Sequence, residues 1–219
     1  MSASPNPVAW EDAYLRFETP TQEVRKFERR LRALGVPALP RDGRVVELFC
    51  GRGSGLRALR SLGFKKAVGI DLSPTLASAH EESTWVAVGD CRALPFRDGS
   101  FALAVVQGGL HHLPRVGEDV PRALAEARRV LVPCGHLVVV EPWLTPFLRL
   151  VHVMCRQAAA RRVSASVDAL AAMIDHESRT YLPWLAAPSL ILRCLDEHFV
   201  PLRCRKAWGK LLYLGVRRE

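Results

Sequence analysis

Apolar residues recur every three or four positions near the start of the chain, at Val24, Phe27, Leu31 and Leu34. This spacing is typical of a helix that buries one face. Thr19, Pro20 and Gln22 predict where the helix starts, because they combine a capping box with a proline in the first turn. Gly35 is a residue type that commonly ends helices. We therefore expect residues 1–40 to form an N-terminal helical arm.

Beyond Pro40 the pattern changes to short β-branched runs separated by helical stretches. The runs that predict strands are 44–50, 66–71, 84–89, 100–107 and 136–141. Helices are predicted up to Leu62, from Ser73 toward His80, and over 118–131. Strands that alternate with helices favour an α/β fold, in which helices cover both faces of a doubly wound, mostly parallel sheet.

The last third of the chain departs from this alternation. Residues 144–176 have a helical pattern without an intervening strand, and a further helix is predicted over 188–199. Two strands, 200–208 and 210–218, meet at Gly209 as an antiparallel hairpin. The pattern therefore predicts a seven-stranded sheet with a terminal hairpin. The segment 144–176 is then a helical insertion after the fifth strand. We interpret it as a lid, because long insertions at a sheet edge are often functional.

The length of 219 residues suits a single domain with a full hydrophobic core. No apolar run approaches the roughly 20 residues that span a bilayer, so we expect no stable membrane insertion. The N-terminal segment lacks the basic and apolar regions of a signal peptide, which predicts a cytoplasmic protein. The six cysteines form no C-x-x-C pair, and we expect them to be reduced and buried.

The net charge of +9 raises the question of nucleic-acid binding. The positive charges are mostly arginines spread along the whole chain, without a lysine-rich tail or a long basic cluster. A general bias toward arginine would give the same count. We therefore expect no nucleic-acid partner.

A glycine-rich turn, Glu47-Leu-Phe-Cys-Gly51-Arg-Gly53-Ser-Gly55, runs from the first predicted strand into a helix. Glycines let the backbone turn sharply and let a ligand approach it, and the helix N-terminus points free N–H groups at that ligand. The spacing is G-x-G-x-G, with Leu56 where the third glycine of a nicotinamide-binding motif would stand. This spacing disfavours a nicotinamide oxidoreductase.

Two aspartates follow at the ends of the next predicted strands. Asp71 lies twenty residues past Gly51, where an acidic group can accept hydrogen bonds from both hydroxyls of a ribose. Asp90 comes just after the third strand, where it can accept a hydrogen bond from an adenine amine. Both share the carboxyl ends of parallel strands with the glycine turn, and open α/β sheets bind ligands at that edge.

Residues 44–142 resemble class I S-adenosylmethionine-dependent methyltransferases, in particular the type 11 small-molecule branch. The resemblance rests on the ordered segments ELFCGRGSG, GIDLS, GDCRALPFRDGSFALAVV, LHHL and LVPCGHLVVVEP. The terminal hairpin fits the reversed seventh strand of that fold. The resemblance implies S-adenosylmethionine as the cofactor and a small molecule as the methyl acceptor. It leaves the acceptor's identity and the methylated atom open.

The resemblance implies nine cofactor-binding residues, which are Glu47, Gly51, Gly53, Gly55, Asp71, Leu72, Asp90, Cys91 and Gln107. Glu47 would reach the methionine amino group through water, and the glycine loop would pass under the methionine and ribose. Gln107 would offer its backbone carbonyl to the methionine ammonium. Leu72 would lie against the adenine ring, and the backbone of Cys91 would bind a ring nitrogen. The two aspartates would keep the ribose and adenine roles described above.

Three residues depart from the family pattern. Phe49 stands where the family usually has its first glycine, Glu47 replaces the commoner aspartate, and Ala102 replaces an aspartate of the fourth strand. Phe49 would narrow the cofactor pocket. It supports the alternative of a non-catalytic protein that keeps the methyltransferase fold and binds the cofactor or a partner.

Three titratable residues near the same edge are candidates for catalysis. His111 and His112 follow the fourth strand and Glu141 ends the fifth, so each is a candidate general base for an acceptor hydroxyl. The structural alternatives are that one histidine ring faces the cleft wall while the other caps a turn, and that Glu141 is a helix-capping carboxylate before Pro142. We expect no metal site, because adjacent histidines do not easily turn toward one ion.

The start of the predicted lid carries large apolar residues, namely Trp143, Leu144, Phe147, Leu148, Leu150, Val151 and Met154. The sequence leaves three interpretations open: core packing, a wall for a lipophilic acceptor, and a basic, apolar helix on a membrane surface. We expect a small, hydrophobic acceptor. The oligomeric state stays open.

Overall fold

Seven strands form one sheet in the part of the chain that the structure, a computed structural model, describes: residues 19–75 and 85–219. The strands are β1 (Val45–Leu48), β2 (Ala67–Asp71), β3 (Trp85–Val88), β4 (Phe101–Gln107), β5 (Leu131–Pro142), β6 (Phe199–Ala207) and β7 (Lys210–Arg217). They lie in the order β3-β2-β1-β4-β5-β7-β6. Strand β7 runs antiparallel to both neighbours, and the other pairs are parallel. The predicted fold class and terminal hairpin are confirmed.

Seven α-helices occur within the same residues. They are α1 (Pro20–Ala33), α2 (Ser54–Ser61), α3 (Val116–Val130), α4 (Pro146–Arg156), α5 (Ala158–Val163), α6 (Ala165–Ala186) and α7 (Pro188–His198). The capping box at the start of α1 forms, with the Thr19 hydroxyl accepting a hydrogen bond from the Gln22 N–H at 3.3 Å. The predictions for residues 1–18 and for the helix from Ser73 beyond residue 75 lie outside the described residues.

The two faces of the sheet carry separate apolar layers. Leu103 and Val105 of β4 face the layer that contains α1 and α2, whereas Ala104 and Val106 face the layer that contains α3, α6 and α7. All four side chains are buried. A strand that is buried on both faces is typical of a parallel sheet covered by helices. The carboxyl ends of the strands are thereby left as the open edge of the sheet.

Strand β5 is longer than the predicted 136–141 and begins at Leu131. The segment Val132-Pro-Cys-Gly, predicted as a turn, is a bulged entry to the strand, where Cys134 has a φ of 58° and the register with β4 shifts. The pattern missed it because a bulge interrupts the alternation of buried side chains. Cys134 and Cys204 are exposed, so the expectation that all six cysteines are buried is wrong.

The predicted end of the lid at residue 176 is also wrong, because α6 continues to Ala186. Its second half is core: Tyr181 and Trp184 are buried, and the Trp184 indole N–H donates to the Pro142 carbonyl at 2.8 Å. The insertion is therefore three helices, of which α6 is anchored to the sheet. Among the described residues no helix has the length and apolar character needed to cross a bilayer.

Candidate active site

The turn between β1 and α2 forms the first wall of the site. Gly51 and Gly53 adopt φ angles of 48° and 74°, which residues with a Cβ rarely adopt, and Gly53 is the N-cap of α2. These two glycines bring the chain from the end of β1 directly into the first turn of the helix. The helix N-terminus thus opens onto the carboxyl edge of the sheet.

Glu47 lies beneath that helix N-terminus. Its carboxylate accepts a hydrogen bond from the Leu56 N–H, and a Cβ added at Gly55 would lie 1.6 Å from Glu47 Oε1. Gly55 is therefore required for the buried carboxylate to fit. Burial, followed by repulsion from Glu23, raises the pKa of Glu47 well above its ordinary value.

Asp71 ties the glycine turn to β2. Its Oδ2 accepts a hydrogen bond from the Gly51 N–H and its Oδ1 accepts one from the Ser73 N–H, both at 2.9 Å. Each oxygen keeps a second lone pair for a ligand hydroxyl. The neighbouring Leu72 side chain is 66% exposed beside this carboxylate. A polar anchor beside an open apolar surface is suited to a nucleoside.

Asp90 is already engaged by a side chain of its own loop. Arg92 donates to both carboxylate oxygens of Asp90, at 2.7 Å for the shortest contact, and also reaches the buried Asp119 at 3.0 Å. Arg92 holds the pKa of Asp90 below its ordinary value. The sequence did not predict this bridge, and an adenine amine would have to share the carboxylate with Arg92. The next residue, Cys91, is buried, and burial raises the pKa of its thiol to about 12.

Buried polar atoms without partners mark the centre of this wall. Glu47 Oε2 and both side-chain atoms of Gln107, Oε1 and Nε2, are buried and make no hydrogen bond within residues 19–75 and 85–219. Such atoms are costly unless a ligand or water satisfies them. The amino and carboxylate groups of a methionine moiety provide matching donors and acceptors. The residues present therefore fit S-adenosylmethionine.

Phe49 occupies the position of the first family glycine at a backbone φ of 58°. Its ring packs over Gly109, where an added Cβ would lie 2.2 Å from Phe49 Cγ. The backbone therefore keeps the conformation that favours glycine, while the side chain fills space between the ends of β1 and β4. This ring is the group that would narrow the cofactor pocket.

A second wall is built on Glu141, at the end of β5. Its Oε1 accepts hydrogen bonds from the N–H groups of Gly109 and Leu110, at 2.8 and 2.7 Å, and its Oε2 lies 2.7 Å from Nδ1 of His111. Burial opposes its charge, but His111 and the two N–H groups lower the pKa of Glu141 below its ordinary value. Glu141 is fully buried, so it positions His111 and does not itself face a ligand.

His111 bridges two carboxylates. Its Nε2 lies 3.5 Å from Oε2 of Glu177, on α6, and Tyr181 packs edge-on against its ring. Burial by itself lowers the pKa of His111, but the carboxylates outweigh it and raise the pKa to about 9. Sequence reasoning missed Glu177, which lies one residue beyond the predicted lid. No motif connects α6 to the fourth strand, so only the fold reveals this contact.

His112 differs from His111, because its side chain is exposed to solvent. It nevertheless lies in a cleft, with protein atoms on several sides. Burial within the cleft and repulsion from His111 lower the pKa of His112 to about 4, so it is neutral at neutral pH. The two rings lie 4.1 Å apart and are tilted by 35°. Ligand-type atoms of His111, His112 and Glu177 lie within 4.8 Å of one another. Adjacent histidines can therefore face one point here, contrary to the reason given for expecting no metal, although a metal would compete with the proton of His111.

Lys210, which the sequence did not single out, lies at the start of β7 beside Pro142. Burial lowers the pKa of Lys210 to about 7, and Arg30 and Lys26 on α1 act in the same direction. The carboxylates of Glu141 and Glu177 offset part of this effect. The site therefore contains, on the side opposite the glycine turn, an amine whose pKa lies close to neutral pH.

The strand order, the glycine turn and the acidic residue at the end of β2 together define a nucleoside-binding α/β fold of the methyltransferase type. Comparison with known proteins agrees. Residues 46–139 match a family model described as a methyltransferase domain, type 11. This segment is therefore similar to the methyltransferase domain of class I, S-adenosylmethionine-dependent methyltransferases.

Two curated relatives are methyltransferases that act on different atoms, carbon in one and oxygen in the other. A ubiquinone/menaquinone biosynthesis C-methyltransferase of Dinoroseobacter shibae is 34% identical over 109 residues, which cover 45% of this chain and 42% of the relative. A chloroplastic tocopherol O-methyltransferase of Arabidopsis thaliana is 31% identical over 132 residues, 54% of this chain and 36% of the relative. The chain spans less than half the length of both relatives.

Solved structures agree on the fold alone. A Pyrococcus horikoshii protein superposes with a TM-score of 0.66 at 19% identity, covering 93% of this chain and 96% of that one. Geranyl diphosphate C-methyltransferase from Streptomyces coelicolor superposes with a TM-score of 0.61 at 15% identity, covering 90% and 77%. The fold thus extends over most of the chain, beyond the matched domain.

Proposed function

We propose that this protein transfers a methyl group from S-adenosylmethionine to a small, hydrophobic acceptor. The observation that carries the proposal is the row of buried, unpartnered polar atoms on Glu47 and Gln107 beside the glycine turn. When bound, the cofactor supplies a sulfonium methyl that is already electrophilic. The protein then needs mainly to align the two reactants and exclude water, so an elaborate catalytic constellation is unnecessary.

For the donor, Asp71 binds the ribose hydroxyls with the lone pairs left after its two backbone contacts. Leu72 offers its open apolar side chain to the adenine ring, and Cys91 offers its backbone. Glu47 and Gln107 hold the methionine group, and the turn at Gly51, Gly53 and Gly55 passes beneath it. The Asp90 carboxylate accepts a hydrogen bond from the adenine amine with a lone pair that its contacts with Arg92 leave free.

For the acceptor, the three candidate residues have different roles. Glu141 and His111 are positioning residues, because one is fully buried and both nitrogens of the other face carboxylates. His112 is neutral and open to the cleft, so it is the residue that can accept a proton from the acceptor. Glu177 completes this wall from α6.

The helical insertion closes the acceptor side. It leaves the sheet at the carboxyl end of β5, and α6 is anchored there by Trp184 and by Glu177. We therefore extend the proposed lid from residue 176 to Ala186. The lid would exclude water and hold a hydrophobic acceptor against the donor. A cytoplasmic location is proposed for the same protein.

Calorimetry with S-adenosylmethionine and S-adenosylhomocysteine tests the donor site, with wild type and Asp71→Ala compared. Mass spectrometry of copurifying or added lipophilic compounds tests the reaction, because a methylated acceptor gains the mass of one CH₂ unit. Donor binding without any methylated product across quinols, phenols and prenyl compounds would contradict catalysis. Absence of donor binding would contradict the whole proposal.

The alternative is a non-catalytic protein that retains the fold. The Phe49 ring, packed over Gly109 between the two loops, is the observation in its favour. Formation of methylated product distinguishes the catalytic function from the non-catalytic one. A non-catalytic protein binds S-adenosylhomocysteine or a partner, but it does not form methylated product even when Phe49→Gly widens the site.

A further inference from the structure

An apolar surface stands open at the same edge of the sheet as the proposed site. On α4, Phe147, Leu150 and Met154 recur at helical spacing and all three are exposed. Trp208, at the turn of the β6–β7 hairpin, is 73% exposed, and its ring meets Phe147 edge-on at 5.4 Å between centroids. We call these four residues the rim patch. Exposed apolar clusters of this kind mark interaction surfaces.

The rim patch is held in place by the fold. The Gly209 N–H donates to the Thr145 hydroxyl at 3.0 Å, and the Trp143 N–H donates to the Gly209 carbonyl at 2.9 Å. Lys210 pairs with Pro142, so the hairpin turn lies at the carboxyl end of β5. The patch is therefore a fixed part of the edge that carries the active site.

The conformation of Trp208 is unusual for its residue type. Trp208 and Gly209 have φ angles of 52° and 75°, a turn in which asparagine or glycine is the usual first residue. A bulky side chain in the left-handed region is strained, and strain of this kind calls for a functional explanation. Here the strained residue also presents the most exposed indole of the described chain.

Positive charge surrounds the patch. Residues 143–167 and 199–210 contain no aspartate or glutamate, and they carry eight arginine and lysine residues. Arg149 and Arg156 flank the exposed face of α4. Arg156, Arg161 and Arg162 line an open hollow of about 450 Å³ at the end of that helix, with Asp168 paired to Arg161 at 2.9 Å. An apolar stripe beside arginines matches an anionic lipid surface.

We infer that the rim patch docks this protein on an anionic membrane surface, with the aromatic residues in the headgroup region and the arginines on lipid phosphates. The inference deepens the proposed function, because it supplies a hydrophobic acceptor directly from the bilayer to the edge where the donor binds. It is an interfacial contact: α4 has 11 residues, too few to span a bilayer.

The test is sedimentation with vesicles of phosphatidylcholine alone, or of equal parts phosphatidylcholine and phosphatidylglycerol, without donor or acceptor. The wild type should bind the anionic vesicles, more weakly at high salt, and should not bind the neutral ones. Phe147→Ala with Trp208→Ala should weaken binding about tenfold or more. Each of Arg149→Glu and Arg156→Glu should weaken it about fivefold or more. Leu150→Gln, at a position that is 59% exposed, is the second apolar variant if the double variant does not fold.

The matched control is Trp85→Ala. Trp85 is 68% exposed on β3, the opposite edge of the sheet, and lies beside a basic hollow that includes Lys65 and Lys66. Its replacement should leave vesicle binding unchanged. An equal loss in this control, or no binding of anionic vesicles by the wild type, overturns the inference. A dimer in ultracentrifugation that Trp208→Ala dissociates, without vesicle binding, would instead make the patch a subunit interface. Donor calorimetry is independent of all these outcomes, so it separates a failure of docking from a failure of the proposed function.

Discussion

The two halves of the site are built in different ways. The donor half, at the ends of β1, β2 and β4, binds its carboxylates to backbone N–H groups of neighbouring turns, as Asp71 does with Gly51 and Ser73. The acceptor half joins side chains from three separate elements, through the chain from Glu141 to His111 to Glu177. A motif is enough to build the first half. The second exists only once β5, the 3-10 turn at Leu110–His112 and α6 have packed together.

Their electrostatics differ as well. The donor half gathers carboxylates, among them Glu23, Glu47 and Asp71, which suits a ligand that carries a sulfonium and an ammonium. In the acceptor half, positive and negative groups alternate: His111 is a cation between two carboxylates, and the pKa of the nearby Lys210 is about 7. We therefore propose that the donor half binds a charged ligand and that the acceptor half moves a proton. The predictions below separate these properties, from the largest expected effect to the smallest.

The largest effect is expected for Glu141→Ala. Its removal leaves the Gly109 and Leu110 N–H groups and the His111 cation buried without a partner. The free energy of unfolding, measured by urea denaturation, should fall by about 3–5 kcal/mol. Glu118→Ala is the control, because its ion pair with Arg115 is exposed and should cost no more than about 1 kcal/mol. Equal losses in the two variants would mean that Glu141 is not a structural anchor.

The next largest effect concerns pH. The pKa of His111 is raised from 6.5 to about 9 in the folded protein. The stabilisation by this charge is therefore complete below about pH 6.5 and is lost as the pH rises through 9, a loss of up to about 3 kcal/mol. The measurement is the difference in unfolding free energy between wild type and His111→Gln from pH 6 to 10, which cancels the opposite trend from Lys210. A difference that stays constant with pH would show that His111 is not charged between its carboxylates.

On the donor side, Asp71→Ala should weaken binding of S-adenosylhomocysteine by about 1–3 kcal/mol, roughly 5- to 150-fold. The ribose hydroxyls lose their acceptor, and the Gly51 and Ser73 N–H groups lose theirs. Asp98→Ala removes an exposed ion pair of Arg129 and serves as the calorimetric control, with unchanged affinity. If both variants bind like the wild type, the donor does not occupy this edge.

Glu177→Gln tests the acceptor half, and it should affect turnover of the acceptor more than affinity for the donor. It keeps the size of the side chain but removes the charge that faces His111 Nε2. Acceptor turnover should fall about tenfold, less than the loss of a general base, while donor affinity changes less than about twofold. Steady-state kinetics with donor calorimetry checks the split. A variant that loses donor affinity and keeps turnover would reverse the assignment of the two halves.

The smallest effect is expected for Phe49→Gly. Removing the ring widens the donor pocket, and glycine relieves a left-handed backbone that costs roughly 1–2 kcal/mol in other residues. Donor affinity should rise about threefold. Phe49→Ala separates the two causes, because it removes the ring but keeps the strain. If only the glycine variant gains affinity, backbone strain and not the ring limits donor binding.

The two corrections in the fold have physical reasons. The entry to β5 was predicted as a turn, because Pro133 and Gly135 are residue types that favour turns, yet the structure accommodates the segment as a bulge that pairs with β4. The end of the lid was placed at 176, because nothing in the local pattern distinguishes the half-buried first half of α6 from the second half, which carries large buried side chains. Tyr181 and Trp184 are buried by contacts with the rest of the fold, and local periodicity does not contain those contacts.

The sequence by itself determined the sheet, the cap of α1, the hairpin at Gly209 and the family of the donor motif. Each of these depends on residues close in the chain, where hydrophobic period, turn chemistry and glycine spacing act directly. The tertiary structure alone decided that Arg92 engages Asp90, that Glu177 completes the acceptor wall, and that Trp208 joins α4 in one exposed surface. The Glu177 and Trp208 contacts join residues from separate elements, and Arg92 is held toward Asp90 by its second contact, with Asp119 of α3. Their existence depends on how the packed helices and strands meet, which no local pattern encodes.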